Sequence, residues 1–93
     1  MIYLIGTGVM AKEYLKVLSA MGVDFKVIGN RQKSCKSFES ETDVSIIPGG
    51  DKALAKLNVS LDDKFILAVP VEALATTTAV ALKQGAMNIL AEK

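Results

Sequence analysis

The first four apolar residues of the chain, Ile2-Tyr3-Leu4-Ile5, run directly into Gly6-Thr7-Gly8-Val9-Met10-Ala11. An amphipathic stretch of helical spacing follows at once. A strand feeding a G-x-G-x-x-A turn that opens a helix is a strong constraint on the fold, because each small residue has a separate task there. Gly6 allows a tight turn through positive φ. Gly8 leaves room for a diphosphate against the backbone, where any side chain would occupy the ligand's space. Ala11, small like the third glycine of the usual pattern, lets the helix lie close to the sheet. The helix N-terminus offers unpaired N–H groups and positive dipole potential to phosphates. Thr7, Val9 and Met10 complete the cradle.

The rest of the chain alternates strand and helix. Strands are expected near residues 2–6, 24–29, 44–47, 64–69 and 87–91. Met10, Tyr14, Val17/Leu18 and Met21 recur at helical spacing and are read as the core face of the first helix, which Gly22 stops. A second helix is expected near 33–40 with Cys35 and Phe38 inward. Pro48-Gly49-Gly50 breaks the chain before a short third helix carrying Leu54 and Leu57. The continuous apolar run Phe65 to Val69 fits a parallel strand covered on both faces. Pro70 suits the start of a fourth helix that Gly85 ends. Right-handed crossovers turn this order into an α/β, Rossmann-type doubly wound parallel sheet of about five strands in the order 3-2-1-4-5. Its ligand crevice falls at the carboxyl ends of strands 1 and 4, where Gly6 to Ala11, Asn30-Arg31 and Val69-Pro70 converge.

Composition narrows the function. In 93 residues there is room for one domain, and 51% hydrophobic content suits a sheet buried on both sides. A formal charge of +1 gives no basic surface for nucleic acid, and no apolar run reaches the length of a membrane span. The chain has no histidine, so it can supply neither a His general base nor a His metal site, and no metal is expected. Its one cysteine, Cys35, fits a small apolar core residue and a reducing cytoplasm better than a nucleophile. No basic stretch precedes the first strand as a signal peptide would require, and a cytoplasmic location is expected.

NAD sites commonly place Asp or Glu at the end of the second strand to hold the ribose hydroxyls. Here Phe25-Lys26-Val27-Ile28-Gly29 ends in Asn30-Arg31. The Arg31 guanidinium suits a 2′-phosphate that a carboxylate would repel, with Ser34 and Lys33 in reach. NADP is favoured over NAD on that ground. The competing reading leaves Arg31 and Lys33 solvated and makes Ser34 a helix cap. Lys26 is a further cation, but its place within a strand fits a ligand role less well. The absent carboxylate also argues against S-adenosylmethionine.

Ile5 to Ala11, Gly29-Asn30-Arg31, Ala68-Val69-Pro70 and the terminal Ala91-Glu92-Lys93 together resemble the dinucleotide-binding domain of the glucose–fructose oxidoreductase and inositol dehydrogenase (Gfo/Idh/MocA) family. The resemblance spans essentially all 93 residues. It implies hydride transfer between a nicotinamide and a sugar, polyol or related carbinol. It also implies that Lys93, in the family's Glu-Lys-Pro motif, is the catalytic or substrate-orienting residue, with Glu92 shaping its turn. Leu74 stands where family members often carry histidine, and the family's substrate domain is missing. The chain is therefore expected to be the cofactor half of a two-domain enzyme, inactive alone, with a homodimer through the strand-5 edge as its own association. Pyrroline-carboxylate reductases share a similar glycine turn, an Asn-Arg after strand 2 and an Ala-Val-x-Pro after strand 4, and remain an alternative. A stand-alone, non-catalytic nucleotide-binding module is a third.

Overall fold

A computed structural model describes residues 1–29, 36, 38–40, 42, 44–60 and 62–91. Five strands, β1 (Ile2–Ile5), β2 (Phe25–Gly29), β3 (Ile46–Pro48), β4 (Lys64–Leu67) and β5 (Asn88–Ala91), form one sheet in the order β3-β2-β1-β4-β5. All neighbours are parallel. Three helices are α1 (Val9–Met21), α2 (Asp51–Leu54) and α3 (Val71–Lys83). Residues 36, 38–40 and 42 are also helical. The expected α/β, Rossmann-like architecture and strand order are thus what the chain adopts.

Alternation along the strands divides the core in two. Tyr3, Ile5, Ile28, Phe65 and Leu67 pack on one face with Leu54 of α2 and Ala81 of α3. Leu4 and Val27 pack on the other with Ala11 and Leu15 of α1 and with Phe38. Burying a phenylalanine such as Phe38 or Phe65, both essentially inaccessible, contributes roughly 1.5–3 kcal/mol. Phe65 also stacks on Tyr3, with ring centroids 5.1 Å apart. At the amino end of the sheet the Met1 amine lies 3.2 Å from the buried carboxylate of Asp63, which also accepts the Ser60 N–H at 2.9 Å.

Leu18 is buried on α1 as expected, but its buried neighbours are Ala11 and Leu15, whereas Met10, Val17 and Met21 are 44%, 55% and 64% exposed. Both stripes keep helical spacing, and they differ by about one residue in phase. Ala11 sets the choice: it is wholly buried against the sheet, and the bulkier Met10 could not come as close. Tyr14 packs partly against the same cluster. Gly22 ends α1 as expected, in the left-handed region at φ 69°, its N–H donating to the Ser19 carbonyl.

Strand bounds also differ from expectation by one or two residues: β1 ends at Ile5, β2 starts at Phe25, β3 runs from Ile46 to Pro48 and β5 starts at Asn88. β4 stops at Leu67, leaving Ala68 and Val69 to the loop. Pro48 closes β3 opposite Gly29, and Gly49-Gly50 then break the chain before α2, as expected. β3 is an edge strand, where a residue without an N–H costs no ladder bond on its open side. Cys35 lies outside the described residues.

Candidate functional site

The sheet order reverses between β1 and β4, and the chain leaves β1 there through Gly6. The Gly6 N–H donates to the Ile28 carbonyl at 2.8 Å, and the Ala68 N–H donates to the Ile5 carbonyl at 2.8 Å. The Gly50 N–H reaches the Gly29 carbonyl at 2.8 Å in the same way. These bonds align the carboxyl ends of β3, β2, β1 and β4 along one rim. Gly6 takes φ +127°, and a Cβ there would overlap the carbonyl oxygen of Ala68 and stand 2.9 Å from its carbon. Glycine at position 6 is therefore a requirement of the fold itself. Ala68 is the partner that sequence reasoning missed. Its signal is positional, since in the order 3-2-1-4-5 the residue after β4 must pass the residue after β1.

Gly8 is different. It is the N-cap of α1 with φ −86° and ψ −166°, extended backbone open to any residue, and a Cβ on it would meet nothing within 4 Å. Neither backbone strain nor packing among the described residues requires glycine there. The first helical bond of α1 runs from the Lys12 N–H to the Gly8 carbonyl at 3.2 Å. The N–H groups of Val9, Met10 and Ala11 thus have no helical carbonyl to donate to. No side chain caps this end, and its first turn holds no acidic residue. Among the described residues, the result is a helix N-terminus whose first donors have no helical partner, with positive dipole potential and no atom within 4 Å of a Cβ at the N-cap.

The flanking residues fit the same rim. Thr7 is half-buried, whereas Val9 is 76% exposed and Met10 stands open beside it. Across the Gly6–Ala68 contact, Val69 is half-buried against the core and Pro70 is the exposed N-cap of α3. The structure thus brings Gly6, Thr7, Gly8, Val9, Met10, Val69 and Pro70 to one end of the sheet. Asn30, Arg31, Ser34 and Lys93 lie outside the described residues. Asn30 follows directly on Gly29, the last residue of β2 and part of the same rim.

A groove of about 550 Å³ runs along α1 from Val9 past Lys12 and Lys16 to Ser19, with Thr42 on its far wall. Val9 links it to the rim, and its outer charges include the exposed pair Lys16–Glu13 at 3.4 Å. Two described groups have displaced pKa values, and both sit toward the amino end of the sheet. Asp63 is lowered, chiefly by the Ser60 N–H; Tyr3 is raised, chiefly by desolvation. No described helix is long and apolar enough to cross a membrane.

The chain matches no protein-family model, no curated protein and no solved structure at a significant level. What can be said of its chemistry therefore rests on the rim just described and on the sequence motifs.

Proposed function

We propose that this chain binds a nicotinamide dinucleotide at the carboxyl ends of β1 and β4, NADP in preference to NAD. The observation that carries the reading is Gly8. Among the described residues neither backbone strain nor packing requires its glycine, and it stands at a helix N-terminus with no side-chain cap and room for a Cβ. A diphosphate uses all three properties at once, because it must approach the backbone closely and accept several N–H bonds.

In this reading the backbone from Gly6 to Met10 and the start of α1 hold the diphosphate. Arg31, with Asn30 and Ser34, takes the adenosine 2′-phosphate, and Val69 and Pro70 border the nicotinamide end. When bound, the nicotinamide supplies hydride exchange with a carbinol carbon of a sugar, polyol or related substrate. Lys93 would donate a hydrogen bond to the reacting oxygen, stabilising charge or moving the proton. A non-catalytic nucleotide-binding module is the second reading, since the same turn and helix N-terminus can hold a diphosphate without any chemistry. Titration with NADPH and NADH, read by nicotinamide fluorescence, tests the proposal. Saturable binding of both, tighter for NADPH, supports it, and absence of binding by either overturns it.

A further inference from the structure

We infer that two copies of this chain associate across a twofold axis beside β5, pairing β5 with β5 and α3 with α3. The inference stands apart from the dinucleotide reading, since none of its residues belongs to the glycine turn. β5 is the last strand of the sheet and has β4 on one side only. From Asn88 to Ala91 it contains neither charge nor proline, two common devices that protect an open edge from pairing. Leu90 on this strand is 50% exposed and Met87, just before it, is 70% exposed.

The helix above the edge ends in an unpartnered stripe. α3 packs on both β4 and β5. One flank is turned toward α2, where the Thr77 hydroxyl donates to Asp51 at 2.8 Å and the Gln84 amide donates to the Ala55 carbonyl at 2.7 Å. The flank pointing away from α2, over the β5 edge, carries Val71, Ala75, Thr78 and Leu82. These recur at i, i+4, i+7 and i+11, one continuous stripe of a helix. Val71 is 64% exposed and Leu82 is 59% exposed. The Thr78 hydroxyl is engaged by the Leu74 carbonyl at 2.7 Å, so it makes no demand on a partner. The charged residues of α3, Glu72 and Lys83, lie off the stripe.

Strand and helix spacings make one operator satisfy both surfaces. Paired strands stand about 4.8 Å apart, so a twofold beside β5 passes about 2.4 Å from it. A helix seated between β4 and β5 is then about 5 Å from the axis, and its symmetry mate about 10 Å away, near the 8–10 Å of packed helices. The small residues Ala75 and Thr78 suit that approach. Pairing across such an axis is antiparallel, and it keeps each side chain on its own face. Both conditions require a residue to face its own copy, and of these registers the ones centred on Ile89 or Leu90 pair three of the strand's four residues, whereas those centred on Asn88 or Ala91 pair one. A stable dimer buries about 800 Å² per partner, roughly one-seventh of this chain's 5841 Å². The four-residue edge alone falls short of that, and the α3 stripe extends the interface.

Light scattering over a dilution series, with two kinds of variant, tests the inference. The chain is expected to be dimeric at high concentration. Leu82→Glu places like charges across the axis and should weaken dimerisation at least tenfold with the circular dichroism unchanged. In a Cys35→Ser background, either Ile89→Cys or Leu90→Cys should form an interchain disulfide, because directly opposed residues stand about 4.5–5.5 Å apart at Cα, within disulfide range. A chain that is monomeric at every concentration overturns the inference. So does a dimer that Leu82→Glu leaves intact, or one that neither cysteine variant cross-links.

Discussion

Gly6 and Ala68 meet backbone to backbone where β1 and β4 diverge, with no room between them for a Cβ. The contact fixes the exit angle of the chain from β1 and so aims the start of α1 at the rim. Gly6→Ala combines a strained positive φ with that overlap and should cost about 2 kcal/mol or more. Urea denaturation measures it. Gly8→Ala, by contrast, should cost only what a poorer N-cap costs, about 1 kcal/mol or less, since a Cβ there meets no described atom within 4 Å.

The hydrogen bond from Thr77 to Asp51 joins the middle of α3 to the first residue of α2 across 26 residues of sequence. Thr77→Val keeps the shape and removes the donor. Asp51 is only half-buried and can turn to water. The loss should therefore be about 1 kcal/mol, at the lower part of the range for a hydrogen bond at a buried site. Thermal unfolding of the single variants and of Thr77→Val with Asp51→Asn, as a double-mutant cycle, separates the pair from its parts.

Acid should weaken the fold through Asp63. Its carboxyl is held below the ordinary range, first by the Ser60 N–H and further by the Met1 amine, against an opposing desolvation. The folded chain accepts this proton less readily than the unfolded one. The stabilisation is therefore complete above the unfolded carboxyl's value, near 3.9, and is lost as pH falls from there through the lower folded value. Asp63→Asn should flatten that limb of the stability profile.

Alkali should act through Tyr3, whose phenol is raised by desolvation and then by the Asp63 charge. Stability from the neutral phenol is intact below the unfolded value, near 10, and disappears as pH rises through the folded one. Tyr3→Phe should remove this alkaline loss, with the stability of each form followed by urea denaturation from pH 8 to 11.

Arg31→Ala should weaken NADPH binding by roughly 1.5–3 kcal/mol, the range for a hydrogen bond to a charged group, and leave NADH almost unaffected. Calorimetry with both cofactors measures the two losses side by side. Equal losses would assign Arg31 to something other than the 2′-phosphate.

Much of this fold is legible in the sequence because local and global signals agree. The apolar run at Phe65, the stop at Gly22 and the small Ala11 each point to one arrangement, and the chain adopts it. The face of α1 was not legible from spacing, because Met10-Val17-Met21 and Ala11-Leu15-Leu18 are both helical stripes. Only contact with the sheet favours the smaller residue. The tie between Thr77 and Asp51 was invisible for another reason: it joins residues whose proximity depends on two crossovers. At the site, the motif named both glycines but could not separate their tasks. The geometry does so: strain and backbone contact require glycine at position 6, and among the described residues neither requires it at position 8.

That division of labour gives the most direct test of the account. Gly8→Val should retain the circular dichroism spectrum of the parent chain, with a loss of stability no larger than the roughly 1 kcal/mol of a poorer N-cap, while losing measurable NADPH binding in calorimetric titration. A Gly8→Val variant that binds NADPH as tightly as the parent, or a parent chain that binds neither NADPH nor NADH, would contradict it.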